Sequence, residues 1–219
     1  MSEAPHRPPI SAATDTYTSF AELEVRETHG TDYRVRMVER PDAPVVILAP
    51  HGGGIEVGTS QLAARIARGR HSLFLFEGLK PPWQNRGLHI TSHRFDHPLC
   101  VALVSRHPVT LAVHGCRGES RIYVGGLDTV LKTLLAAKLN DAGFSTTSDN
   151  HPYMGLNPLN ICNRGSRGRG VQIELTRDFR EPIYRRRIAP LIREALDEYL
   201  GTTPPEPKPG RRSPQSPGG

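Results

Sequence analysis

Short apolar runs that alternate with helix-forming stretches constrain the fold of this chain more than any other sequence feature. Runs typical of strands lie at 33–37, 45–49, 72–76, 109–113, 122–124, 144–147 and 171–175. Apolar residues recur at helical spacing in 59–69, 126–143 and 182–200. This alternation predicts an α/β fold, a three-layer sandwich with a mixed, mainly parallel central sheet.

The ends of the chain differ in composition from its middle. Residues 1–15 lack apolar periodicity and residues 201–219 are rich in Pro, Gly and Ser, so both segments are predicted to be disordered. Residues 16–200 are long enough to form a single catalytic domain with its own core, and we expect a monomer.

Several absences in the sequence bear on the compartment. No apolar run approaches the roughly 20 residues that span a bilayer, and the N-terminus has no apolar segment typical of a secretory signal. The three cysteines are well separated and odd in number, which does not indicate a disulfide framework. We therefore expect a cytoplasmic protein that does not engage a membrane.

The chain is basic, with a formal net charge of +6, and its arginines cluster in 164–169 and 185–187. This charge favours a polyanionic partner. The sequence contains no RNP motif, zinc-finger spacing or basic leucine-zipper region, so nucleic acid is not the expected partner. Solvated surface charge is the alternative interpretation.

Histidines follow two of the predicted strands at the point where each strand ends. His51 follows the run 45–49 after one proline, and His114 follows the run 109–113 directly. Glu56 comes five residues after His51, across three glycines that allow a tightly folded loop. Two imidazoles and a carboxylate are the ligands of one type of catalytic zinc site, which leaves a fourth position open. The alternative is a pair of hydrogen-bonded strand-end histidines and an ordinary glycine turn.

A glutamate within the last predicted strand is a candidate general base. Alternation in 171–175 places Gln172 and Glu174 on the face opposite Val171, Ile173 and Leu175. A carboxylate inside a core strand is unfavourable unless it has a partner or a function. Glu174 is therefore a candidate to activate metal-bound water, and a buried ion pair with an arginine is the alternative.

Several motifs in a fixed order resemble one protein family. They are HGGGIEVGTSQLA (51–63), HITSHRFDHP (89–98), VHGC (113–116), NICNRGSRGRGVQIEL (160–175) and TRDFR (176–180). Together they resemble the phage-type poly-γ-glutamate hydrolases over about residues 16–200. The resemblance implies a zinc-carboxypeptidase-like fold, one Zn²⁺ held by His51, Glu56 and His114, and Glu174 as the base. It also implies endo-cleavage of γ-glutamyl amide bonds.

A polymer with one carboxylate per residue needs cations along its binding groove. The predicted substrate-binding residues are Arg117, Arg121, Asn163 and Arg167, with Arg169 as a further candidate. Arg164 is predicted to act in catalysis, by holding a substrate carboxylate or stabilising the oxyanion. Surface solvation is the alternative for Arg167 and Arg169.

The family motif departs from its usual pattern in 89–98, where additional polar residues occur. His93 and His97 are not expected to be metal ligands, and Asp96 is considered as a residue that orients a ligand histidine.

Other functions remain open from the residues alone. The chain is alternatively a non-catalytic polyanion-binding module on the same fold, or a zinc deacylase or carboxypeptidase for small acyl-amino acids. A cysteine hydrolase that uses Cys116 is a further alternative, against which the usual burial of cysteine in protein cores weighs.

Overall fold

The computed structural model of this protein describes residues 15–202. Its strands are β1 Tyr33–Val38, β2 Val45–Gly53, β3 Ser72–Gly78, β4 Val109–Gly115, β5 Ile122–Gly126, β6 Thr146–Thr147 and β7 Val171–Leu175. They form one sheet in the order β1-β3-β2-β4-β7-β5-β6. Strands β3, β2, β4 and β7 run parallel, whereas β1 and β5 are antiparallel to their neighbours β3 and β7. The predicted mixed, mainly parallel sheet is confirmed.

Helices cover both faces of this sheet. They are α1 Phe20–Arg26, α2 Thr59–Ala67, α3 Pro98–Val104, α4 Thr129–Asp141 and α5 Pro182–Thr202. One buried core joins the sheet to α2, α4 and α5, and a second core joins its other face to α1 and α3. The three-layer α/β sandwich is therefore confirmed. Helices α1 and α3 were not predicted, because seven residues are too few to show a clear helical period.

The register of the central strands decides which side chains share a face. His114 in β4 pairs with Glu174 in β7, and Glu174 pairs in turn with Tyr123 in β5. Because paired residues project to the same side of a sheet, these three side chains lie in a row. Ala112, two residues before His114, belongs to the second core, so the row lies on the α1 and α3 side.

Some predicted boundaries differ from the observed ones. Strand β2 continues to Gly53 and includes His51, and α5 includes residues 201 and 202, which were predicted to be tail. Asp15, predicted to be disordered, accepts hydrogen bonds near the sheet edge. The rest of the two segments predicted to be disordered, 1–14 and 203–219, lies outside the described residues.

Within residues 15–202, no helix has the length and apolarity that crossing a membrane requires.

Candidate metal centre and active site

The three predicted metal ligands converge at the carboxyl ends of β2 and β4. His51 Nδ1 lies 3.1 Å from His114 Nδ1 and 3.2 Å from Glu56 Oε1. One donor atom from each residue lies within 4.8 Å of the others. Ligand atoms of a tetrahedral zinc ion with bonds of about 2.0–2.1 Å lie about 3.3 Å apart. The spacing of these nitrogen and oxygen donors therefore fits zinc with one position left open.

Hydrogen bonds orient each donor toward the centre. His51 Nε2 lies 2.8 Å from the Ile90 carbonyl oxygen, which can only accept a hydrogen bond. Nε2 therefore carries the ring proton, and the lone pair of Nδ1 is available to a metal. Glu56 Oε2 accepts the Gly115 N–H at 2.7 Å, which leaves Oε1 facing His51. Ser92 Oγ lies 3.4 Å from His114 Nε2, on the side of the ring away from the centre. The ligand set is thus held in place by its surroundings.

The glycine loop brings Glu56 back to His51. Gly53 has a left-handed φ of +62°, and a Cβ at Gly52 would overlap Ser60 Oγ in α2. Ser60 Oγ also accepts the Gly53 N–H at 3.1 Å. The loop closes where the Glu56 N–H donates to the His51 carbonyl at 2.9 Å. Glycines are therefore needed both for the turn and for the close approach of α2.

The segment 89–92 supports the centre from its outer side. The His89 ring stacks on the His51 ring with centroids 4.0 Å apart, and His89 Nδ1 lies 2.7 Å from Asp15 Oδ1. Asp15 Oδ2 accepts the Thr91 N–H at 2.7 Å. Sequence reasoning assigned no role to His89, Ile90 or Ser92. The only signal was their position in a family motif, because their contacts join residues far apart in the chain.

Burial controls the protonation of the second ligand histidine. His114 is 1% exposed. Desolvation, followed by the nearby His51, lowers the pKa of His114 to about 3. A neutral imidazole is the form that binds a metal, so this environment favours the ligand state at neutral pH.

Glu174 lies beside His114 on the neighbouring strand. Its side chain is buried, and it makes no hydrogen bond or ion pair with any residue in 15–202. Burial, together with the Glu56 carboxylate, raises the pKa of Glu174 well above its usual value, and Arg180 opposes this shift. The arginine ion pair considered as an alternative role is absent within the described residues. An unpaired buried carboxylate beside a candidate metal centre can accept a proton.

Two tyrosines form the wall on the other side of Glu174. Tyr123 pairs with Glu174 in the sheet, and the Tyr153 ring packs against Tyr123 with centroids 5.2 Å apart. Burial, followed by the negative charges of neighbouring groups, raises the pKa of Tyr153 to about 12. The phenol therefore remains a hydrogen-bond donor at neutral pH. Neither tyrosine was identified from the sequence.

Cys116 follows β4, the strand that contains His114, but is poorly suited to act as a nucleophile. Its side chain is buried, and burial, followed by the Glu174 carboxylate, raises the pKa of its thiol to about 12. The reactive form of a cysteine is the thiolate, which this environment disfavours.

A cavity of about 510 Å³ opens next to Glu56. Arg117, a predicted substrate residue, lines it together with Arg86, His89 and Asp15. Neither arginine forms an ion pair with a residue of the described chain. Arg86 was not identified from the sequence, because an isolated arginine in a loop carries no local signal.

The basic loop 164–169 lies at the opposite end of the sheet. A Cβ at Gly165 would lie 2.8 Å from Thr110 Oγ1, at the start of β4, whereas His114 lies near the end of that strand. Arg167 Nη1 donates to the Tyr199 hydroxyl at 3.3 Å. The backbone of Arg164 is therefore held at the amino edge, although it is close to Glu174 in sequence.

Asn163 has a structural environment. Its Oδ1 accepts the N–H groups of Leu127 and Gly170, and its Nδ2 donates to the carbonyls of Gly155 and Asn157. A buried amide with four such partners has no capacity left for a substrate. The placement of the loop and these bonds do not fit the predicted roles of Asn163, Arg164 and Arg167.

The remaining polar candidates also have other partners. Arg121 Nη1 donates to Ser145 Oγ at 2.7 Å, and Arg169 Nε lies 3.6 Å from Asp128. Asp96 accepts the Phe20 N–H at 2.6 Å, so it anchors α1 and does not orient a ligand histidine. His97 caps α3 and His93 is exposed, in agreement with the expectation that neither is a ligand.

Known proteins resemble this chain in sequence and fold. The family model for poly-gamma-glutamate hydrolase matches residues 17–195. The UPF0714 protein YndL of Bacillus subtilis (strain 168) is 40% identical over 181 residues, which cover 80% of this chain and 70% of that protein.

Solved structures agree with this match. A bacteriophage poly-gamma-glutamate hydrolase superposes with a TM-score of 0.82 at 34% identity, over 86% of this chain and 100% of that chain. The zinc-free apo form of YndL gives a TM-score of 0.75 at 34% identity, over 87% of this chain and 100% of that chain.

A more distant structure shares only the fold. A protein assigned as a carboxypeptidase A from Shewanella denitrificans is 11% identical, with a TM-score of 0.50, over 78% of this chain and 61% of that chain. This likeness agrees with the expected carboxypeptidase-like architecture. The family match spans most of the chain and includes the triad and Glu174, so the chain belongs to the poly-gamma-glutamate hydrolase family.

Proposed function

We propose that the protein is a zinc-dependent hydrolase that cleaves γ-glutamyl amide bonds within poly-γ-glutamate, with Glu174 as general base. The observation that carries the proposal is the register of β4 and β7, which sets an unpaired buried carboxylate directly beside the His51, Glu56 and His114 triad. A zinc-free form described for the relative YndL supports zinc as the metal.

In this proposal the zinc ion and the protein side chains have different roles. A zinc ion held by His51, Glu56 and His114 would supply a Lewis acid that polarises an amide carbonyl and acidifies water. Glu174 accepts a proton from the attacking water and transfers it to the leaving nitrogen. The low dielectric around these side chains strengthens each electrostatic interaction.

The cavity beside Glu56 supports an acidic substrate. Arg86 and Arg117 line it without ion-pair partners within the described chain, so their charges are available to carboxylates. An acidic polymer is therefore the proposed partner, in preference to a small acyl-amino acid. A monomeric, cytoplasmic protein that binds neither nucleic acid nor membrane remains a prediction.

The chain length of poly-γ-glutamate after incubation tests the proposal. Size-exclusion chromatography should show shortening that a zinc chelator abolishes and added zinc restores. The Glu174→Gln protein, loaded with zinc to the same content, is the matched control and should leave the polymer intact. Intact polymer with the zinc-loaded wild type would reject the polymer as substrate, and small γ-glutamyl amides would then be assayed.

A further inference from the structure

An arginine that the mechanism does not use lies against the metal-binding strand. Arg180 is in the 3₁₀ turn Asp178–Arg180 that follows β7, and its guanidinium packs against Gly115 at the end of β4. A Cβ at Gly115 would lie 2.6 Å from Arg180 Cζ, so the guanidinium occupies the space that a side chain would fill. The same glycine donates its N–H to Glu56 Oε2. Arg180 therefore packs against the residue that binds Glu56, and the Glu56 carboxylate acts on its charge.

The backbone around Arg180 holds its side chain in this position. Arg180 Nη1 donates to the Val57 carbonyl at 2.8 Å, at the end of the glycine loop. A Cβ at Gly58 would lie 2.6 Å from the Arg180 carbonyl oxygen, so the backbone of the turn also packs closely against the start of α2. The hydrogen bond to Val57 and the contact with Gly115 fix the direction of the guanidinium, and the contact with Gly58 fixes the backbone of the turn.

The donors of this guanidinium are mostly unused. Arg180 Nε is buried without a hydrogen-bond partner, and Arg180 forms no ion pair with any residue in 15–202. Glu56 and Glu174 act on its charge without contacting it. The Nη2 donors also have no partner in 15–202 and, unlike Nε, are not among the buried atoms without a partner. A carboxylate is the group that a guanidinium binds best. The site is therefore suited to an external carboxylate.

The chemistry of a γ-glutamyl bond places a carboxylate close to the reacting atoms. The leaving nitrogen is attached to the α-carbon of the next glutamate, and that carbon carries a free α-carboxylate. In an α-linked peptide the same position is occupied by a neutral amide, except at the C-terminal residue. A cation beside the metal centre therefore distinguishes these two linkages.

We propose that Arg180 binds the α-carboxylate of the glutamate on the leaving-nitrogen side and so selects γ-linked glutamate over internal α-linked bonds. This inference rests on the proposed function, because it places the scissile bond at the triad. It assigns Arg180 to substrate binding, which is distinct from the proton transfer assigned to Glu174.

The test compares two substrates and three variants of the full chain. The substrates are a γ-glutamyl oligomer with free α-carboxylates and the same oligomer with α-carboxamides. The variants are Arg180→Ala, Arg180→Lys and Arg177→Ala, the last as a control at an exposed arginine of the same segment. Each zinc-loaded protein is assayed for kcat and KM, and binding of both oligomers to the Glu174→Gln background is measured by calorimetry.

We expect Arg180→Ala to lower kcat/KM and affinity for the carboxylate oligomer by roughly 10- to 100-fold, the range for a hydrogen bond to a charged group. The carboxamide oligomer should change less than threefold. Guanidine should partly restore Arg180→Ala, Arg180→Lys should be intermediate, and Arg177→Ala should match the wild type.

Equal losses on both oligomers, or no loss on either, would overturn the assignment. If Arg180→Ala does not fold, Arg180→Lys and the preference of the wild type for carboxylate over carboxamide decide the question, and equal wild-type affinity for both would reject it. If the wild type cleaves neither oligomer, the proposed function fails, but the calorimetric comparison still tests the carboxylate site.

Discussion

Two buried carboxylates at opposite ends of the central sheet, Asp128 and Glu174, have contrasting surroundings. At the amino edge, the buried Asp128 has partners: Tyr199 donates to it at 2.5 Å, and Arg169 Nε lies 3.6 Å from it. At the carboxyl edge, Glu174 is buried without a partner. Because a buried carboxylate without a partner is unfavourable, Glu174 points to a function at the carboxyl edge.

Removing the unpaired carboxylate at the carboxyl edge should have the largest effect. We expect Glu174→Gln to lower kcat by about 10²- to 10⁴-fold, the usual contribution of a general base, while zinc content is unchanged. Steady-state kinetics and metal analysis of the purified protein measure this. Normal turnover would exclude Glu174 as the base.

A second buried glutamate provides a matched control for that variant. Glu77 in β3 is 3% exposed, but it accepts a hydrogen bond from Arg34 Nε at 2.8 Å. Glu77→Gln should reduce stability by about 1 kcal/mol through the weakened ion pair, with kcat within threefold of wild type. A large loss of activity here would show that burial alone explains the sensitivity of Glu174.

A substitution of Asn163 tests whether this residue of the amino edge contributes to stability or to substrate binding. Asn163→Ala leaves the N–H groups of Leu127 and Gly170 without their acceptor, so we expect a loss of about 2–4 kcal/mol in the free energy of unfolding. Activity per folded molecule should be unchanged. Urea denaturation and KM values together measure this, and a raised KM without destabilisation would restore Asn163 as a substrate residue.

His97 extends the comparison to histidines, because its ring nitrogen has a hydrogen-bond partner within the fold. Its Nδ1 accepts the Leu99 N–H, and burial lowers its pKa to about 4 from the ordinary 6.5. Between these values the unfolded chain takes up a proton that the folded protein does not, so stability falls as the pH falls from 6.5 to 4. The expected contribution is about 3 kcal/mol.

Denaturation of His97→Asn at pH 7 and pH 4.5 measures that contribution, since asparagine retains the capping acceptor but does not titrate. Its loss of stability on acidification should be smaller than that of the wild type. The exposed His93→Asn should behave like the wild type. Equal pH dependence in all three proteins would exclude His97 as the titrating group.

The smallest effect is expected for Arg167→Ala at the amino edge. Its contact with Tyr199 is a single long hydrogen bond, so stability should fall by less than about 1 kcal/mol. The rate of polymer cleavage should stay within twofold of wild type at low salt. A marked fall in rate would indicate that the polymer reaches this edge.

Sequence reasoning gave the positions of side chains that depend on the local chain. His51 and Glu56 are joined by a short loop, and His114 and Glu174 lie on strands whose apolar pattern is clear. It did not give the position of the loop with Arg164 and Arg167, because closeness to Glu174 in sequence does not give closeness in space, and the roles of these arginines stay predictions. A strand of five residues separates the basic loop from the carboxyl edge.

The sequence by itself determined the strands, their buried faces and the set of candidate metal-ligand side chains, since each depends on residue type and short spacing. The tertiary structure alone decided which ring nitrogen of His51 faces the centre, because Ile90 lies 39 residues away. It also decided that Arg180 packs against Gly115 in β4 and donates a hydrogen bond to Val57 across 123 residues. Such contacts form only when distant segments pack together, and no local pattern in the chain encodes them.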